Sequence, residues 1–323
     1  MSLIKHLISP ALRSTLSLLT LTAVAMTPAF ASSGTHSFDV DDGGLLEVDA
    51  DLGSIVVEAG GSGNVTVTID APEDDDLSFD VRQGRSGVRV VGEYKGNSSG
   101  WFGWGGKRPK VEYRITVPKN YNVDLDTKGG SISVDDLRGR VDADTSGGSL
   151  SFGNIDGPVD GNTSGGSIRL ESSNGDANLD TSGGSIKIGD VQGNVNADTS
   201  GGSISIARAH GNVVADTSGG SISVEEVYGS IDASTSGGHI KAMILEQPGG
   251  DCRLSTSGGS VHVTLAEGIH VDLDASTSGG RATSDFPLDN ERRSKTHLSG
   301  QLNGGGPKLV LRSSGGGVHV KRR

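Results

Sequence analysis

A lone cysteine, Cys252, denies this 323-residue chain any intrachain disulfide. Its fold must rest on backbone hydrogen bonds and core burial rather than on covalent staples. Cationic residues are also in deficit, with 28 Lys and Arg against 40 Asp and Glu and a formal net charge of −12. That balance argues against nucleic acid or an anionic membrane as the main partner, because both need a positive surface. It favours solubility, cation binding or a basic partner. Aromatic residues make up only 4% of the chain, while glycine reaches 52 residues. A disordered linker can share that composition, but here the glycines recur at fixed positions, and periodicity excludes disorder.

Lys5 and Arg13 form a basic region, residues 15–26 a short and mostly apolar stretch, and Ala29-Phe30-Ala31 a small-x-small cleavage site. This is the pattern of a signal peptide over residues 1–31. The apolar stretch is too short to serve as a permanent span. No second candidate span, lipid-attachment cysteine near the cleavage point or hydrophobic C-terminal tail is found. The expectation is export to the periplasm, cell surface or extracellular space, with no transmembrane segment after cleavage. The mature chain then starts at Ser32 with a charge of about −14.

The dominant feature is an internal repeat. Thr127, Thr145, Thr163, Thr181, Thr199, Thr217 and Thr235 stand 18 residues apart, each followed by Ser-Gly-Gly except that Lys128 replaces the first Ser. Copies at Thr256 and Thr277 follow at 21-residue intervals, and a degenerate Ser313-Ser314-Gly315-Gly316 lies two standard periods beyond Thr277. Within a unit the apolar residues alternate, as in Ile186, Ile188, Val191, Val195 and Ala197, or Ile204, Ile206, Ala209, Val213 and Ala215. Spacings of two mark short strands with one buried face, and helical spacings are absent. A second glycine ladder (Gly139, Gly157, Gly175, Gly193, Gly211, Gly229) marks an opposite corner, since glycine serves sharp turns.

The pattern predicts an all-β parallel β-solenoid (β-helix) with 18-residue coils and irregular β-rich caps. Each coil runs strand, Gly corner, strand, Thr-Ser-Gly-Gly corner. Nine regular coils at the ordinary strand spacing give a rod on the order of 45 Å long. One coil cannot bury its own apolar face, so stability comes from stacking. The organisation reads as irregular N-terminal coils or cap over residues 32–125, a regular solenoid over 126–285, and a C-terminal coil or cap over 286–323.

The unit Thr-Ser-Gly-Gly-Ser-Ile-x-Val…Gly-x-Val-x-Ala-Asp and the lead-in Ile115-Thr116-Val117-Pro118-Lys119-Asn120-Tyr121-Asn122-Val123 carry a resemblance, as do Asp285-Phe286-Pro287 and Gly304-Gly305-Gly306. Together they resemble an adhesin-type family of exported bacterial β-strand-repeat proteins, much of it catalogued as domains of unknown function. The resemblance covers nearly all of the mature chain. It implies a solenoid in the cell envelope or on the surface, and it brings no catalytic residues.

Several constellations suggest chemistry. Asp144, Asp180, Asp198 and Asp216 precede Thr-Ser-Gly and imitate the Asp-Thr-Gly loop of aspartic proteases. Those enzymes need two carboxylates sharing one proton across a cleft. A ladder in which Asn162, Ser234, Ser255 and Ser276 take equivalent places fits corner hydrogen bonding instead. Alternation turns Asp142, Asp144, Asn196 and Asp198 outward, where stacked carboxylates repel and Ca²⁺ would relieve them. Calcium is the one ion the pattern suggests; no cofactor is expected. The other outward face carries Ser131, Ser149, Arg169, Lys187, Ser203, Ser205, His239, Lys241 and His262. His239 and His262 fall on adjacent coils at offset positions, which makes them isolated surface histidines. Alternation also points Thr145 inward, against an ice-binding array, and puts Cys252 in the core.

Off the repeat, Trp101-Phe102-Gly103-Trp104-Gly105-Gly106-Lys107-Arg108 reads as the tip of a long hairpin between strands near Tyr94 and Val111. Trp101, Phe102, Trp104, Lys107 and Arg108 suit a protein, glycan or membrane interface. The alternative is that the segment folds back to cap the solenoid. The sequence thus reads as a non-enzymatic envelope or surface protein, an adhesin or structural scaffold that meets a protein or glycan at the cell surface. The rival readings are a polysaccharide-active β-helix enzyme, which needs a non-repeating cluster of acid and base residues, and an envelope-stress or regulatory partner protein.

Overall fold

The structure, a computed structural model, describes residues 30–31, 34–96 and 109–323. The described residues form no helix and lie in two sheets, one of 16 strands and one of 15, which receive alternate strands of each coil. In the coil that opens at Val195, strand Val195–Thr199 joins the larger sheet and Ile204–Ala209 the smaller. Alternate side chains point inward, so Val195, Ala197, Ile204, Ile206 and Ala209 are buried. Through these regular coils register passes unshifted: Val195 pairs in parallel with Ala177 on one side and Val213 on the other. The first shift after them comes between Val224 and Val227. Burying one such Ile or Val contributes on the order of 1.5–3 kcal/mol.

The Thr-Ser-Gly-Gly corner is a hydrogen-bonded ladder. Thr199 Oγ1 donates to Gly184 O at 2.7 Å and accepts from Gly202 N at 3.3 Å. Thr145, Thr163, Thr181, Thr217 and Thr235 repeat both bonds. All of these threonines are buried, so the inward orientation expected for Thr145 holds. The hydroxyl satisfies corner groups that the strand ladder cannot reach, and leaving one unpaired costs about 1–3 kcal/mol. The second glycine is required for packing: a Cβ on Gly202 would overlap Gly184 O of the coil below. Cys252 is buried in the column of Leu309.

The ends depart from sequence order. The degenerate last coil, Lys308–Ser313 with Val318–Arg322, does not follow the Thr277 coil in space. It lies between the coil of Cys252–Thr256 and Val261–Leu265 and that of Val271–Thr277 and Ala282–Ser284, parallel to both. Its Ser313 Oγ donates to Gly259 O at 2.7 Å, and Thr277 Oγ1 donates to Gly316 O, so the corner ladder runs through it unbroken. Two antiparallel strands, His297–Leu302 and the wholly exposed Asp289–Arg293, then finish the larger sheet. The N-terminal end is built alike. The first coil, Leu45–Ala50 with Ser54–Gly61, sits between the coil of Gly87–Tyr94 and Glu112–Pro118 and that of Asn122–Thr127 and Ile132–Val134. Antiparallel strands Gly34–Asp39, Asn64–Asp70 and Leu77–Gln83 lie outside it. Phe30–Ala31, the last residues of the expected signal, pair antiparallel with Leu77–Gln83.

One expectation is corrected. The strands that flank the tryptophan segment belong to different sheets, Gly87–Tyr94 to the larger and Glu112–Pro118 to the smaller. These two strands do not pair with each other, so the hairpin expected between them is not formed by them; residues 97–108 lie outside the described residues.

Candidate functional surface

The outward face of the larger sheet carries two columns of acidic residues, fixed by the same alternation that buries Ala143 and Ala197. The first runs Glu47, Asp124, Asp142, Asp160, Asn178 and Asn196 in register. The second runs Asp49, Asp126, Asp144, Asn162, Asp180, Asp198 and Asp216. In the first column positive partners soften the repulsion. Arg140 bonds Asp142 at 2.8 Å and lies 3.9 Å from Asp160, while the amides of Asn178 and Asn196 donate down the column at 2.9 and 2.7 Å. In the second column none of Asp126, Asp144, Asp180, Asp198 and Asp216 has an ion pair among the described residues.

This crowding changes their acidity. Partial burial, then the neighbouring carboxylates, hold Asp126, Asp144, Asp198 and Asp216 above the ordinary carboxylate range. Asp124 rises for the same reasons, burial first and then Asp142 and Glu47. Stacked like charges at the inter-strand spacing disfavour ionisation, and a cationic partner reverses the effect. Among the described residues no three His, Cys, Asp or Glu side chains converge as a metal site needs.

On the smaller sheet, Ser205, Ser223, Lys241, His262, His319 and Thr283 share one outward column. His262 and His319 stack with ring centroids 4.9 Å apart, and Thr283 Oγ1 lies 2.9 Å from His319 Nδ1. His239 sits apart at the corner, where its Nδ1 accepts from Ser260 N at 2.9 Å. The expected offset between His239 and His262 is therefore present, but His262 has another histidine as its partner. The sequence conceals this contact, because the His319 coil is inserted out of order. Trp101, Phe102, Trp104, Lys107 and Arg108 lie outside the described residues.

The sequence signature of the family described as Toastrack DUF4097 matches residues 45–321, taking in the irregular ends as well as the regular coils. No protein of curated function matches. Solved structures similar to this chain include a candidate adhesin from Bacteroides fragilis, 14% identical, covering 93% of this chain and 100% of that one, with a TM-score of 0.31. A candidate adhesin from Parabacteroides merdae is 12% identical over 90% of this chain and 95% of that one, TM-score 0.32. A candidate lipid-binding protein from Parabacteroides distasonis is 13% identical over 90% and 96%, TM-score 0.32.

Proposed function

This chain belongs to the Toastrack DUF4097 family, and on that premise we propose that it is an exported, non-enzymatic interaction scaffold of the cell envelope or surface. Its acidic sheet face holds a basic partner. The observation that carries this reading is the second column, Asp126 to Asp216, whose carboxylates stack in register with no ion pair among the described residues. A rigid ladder of this kind presents repeated charge along a line, which steers and holds an extended cation.

Titration of the full chain with oligolysine tests it. Salt-sensitive binding that falls at least tenfold in an Asp144→Asn, Asp198→Asn, Asp216→Asn variant supports the reading; binding unchanged in that variant overturns it. Crosslinking on intact cells then identifies the partner. Cleavage of envelope polysaccharides by the full chain would favour an enzyme instead. Calcium is separated by melting with EDTA, which leaves the transition unchanged if a basic partner rather than a metal is the ligand.

A second contact rests on the segment carrying Trp101, Phe102, Trp104, Lys107 and Arg108, for which aromatic and cationic composition is the support. A Trp101→Ala, Trp104→Ala variant that loses cell binding but melts normally supports it. Lost stability assigns the segment to the cap.

A further inference from the structure

The N-terminal end carries a cleft that the acidic face does not include. Its floor is Tyr121, which is fully buried and whose Oη has no hydrogen-bond partner. Two glycines bring backbone against the phenol: a Cβ on Gly44 would lie 2.6 Å from the ring, and one on Gly87 2.6 Å from Oη. The loops bearing them are pinned. Gly43 N donates to Asn120 O at 2.8 Å, Asn122 Nδ2 to Gly43 O at 3.1 Å, and Leu45 N to Ser86 O at 2.8 Å. Above the phenol opens a cavity of about 340 Å³, walled by Asp39, Asp41, Asp42, Arg85 and Ser86. None of the four charged walls has an ion pair among the described residues.

We propose that this cleft binds a neutral saccharide unit, with the Tyr121 hydroxyl as its buried anchor. A buried hydroxyl without a partner costs free energy, and a ligand group that reaches it recovers that cost. The walls select the chemistry. Three carboxylates repel anions. The unpaired Arg85 guanidinium opposes a simple cation, and no three acidic or imidazole groups converge on a metal. Sugar hydroxyls both donate and accept, so they meet carboxylates, guanidinium, Ser86 and Tyr121 together. The volume lies in the range of small-molecule sites, and the pinned loops lower the ordering cost of binding.

The test uses the full chain and saturation-transfer NMR with a panel of neutral oligosaccharides of glucose, galactose, mannose and N-acetylglucosamine. The expected result is binding to at least one, weakened tenfold or more by Tyr121→Phe and by Asp42→Asn. Tyr121→Phe is expected to melt at or above the wild-type temperature, because it removes an unpaired polar atom and keeps the ring. A lower melting temperature for Tyr121→Phe, no saccharide bound, or binding that survives both substitutions would each overturn the proposal. Oligolysine binding is measured alongside; it reports on the acidic face alone, so the two readings fail separately.

Discussion

Ser313 Oγ donates to Gly259 O at 2.7 Å, the bond that Thr199 Oγ1 makes to Gly184 O in the regular coils. A hydroxyl at this corner is therefore the requirement, and the threonine methyl is secondary. Thr199→Val keeps the shape and removes both bonds. It should destabilise the chain by about 1–3 kcal/mol, whereas Thr199→Ser should lose less than half of that. Urea unfolding of the two variants checks the order.

The acidic column predicts an inverted response to pH. Burial, then Asp180, raise Asp198 above its ordinary 3.8. Its contribution to stability is whole below 3.8 and is lost as pH rises through the folded value. Asp198→Asn should thus raise the melting temperature at pH 7 by roughly 1–3 °C, an advantage that disappears near pH 3. High salt should shrink the same advantage by screening the column.

His262 shifts the other way. Burial, then His319, Lys321, His239 and Lys241, hold its imidazole below the ordinary 6.5. The stability of the neutral ring is whole above 6.5 and is lost as pH falls through the folded value. Thermal melting of the wild type should therefore drop between pH 7.5 and 5.5, and His262→Gln should drop less. An equal decline in both would assign the effect to other groups.

Among the described residues, the coil of Val271–Thr277 and Ala282–Ser284 has no strand partner in the body of the solenoid except through the last coil. A chain ending at Gly306 should expose the edges on both sides of the gap and release residues 271–302 from cooperative unfolding. Hydrogen exchange should show that region losing protection while Val195–Thr199 keeps it.

Most of the regular body was legible in the residues. The 18-residue spacing from Thr127 to Thr235 and the alternation through Ile204, Ile206 and Ala209 determine which side chains enter the core, because a strand has no other period. The ends were not legible for a related reason. A period reports that Ser313 belongs to the corner column, but it carries no information on where in the stack that coil is placed. The 36-residue gap after Thr277 was the visible trace of the insertion. The His262–His319 stack was hidden by that rearrangement. The Tyr121 cleft was hidden because its walls come from residues 39–42 and 83–87, which share no motif.

Because each terminal coil is locked beneath the coil that precedes or follows it in sequence, neither end of the stack can be lengthened by simple addition. Whole 18-residue units can be gained or lost only between Asn122–Thr127 and Ile231–Thr235, where neighbouring strands of the larger sheet pair at a constant 18-residue offset. The regular body is accordingly of adjustable length, since duplication or deletion of one unit changes it by about 4.8 Å. Both ends would keep their own surfaces across such length variants.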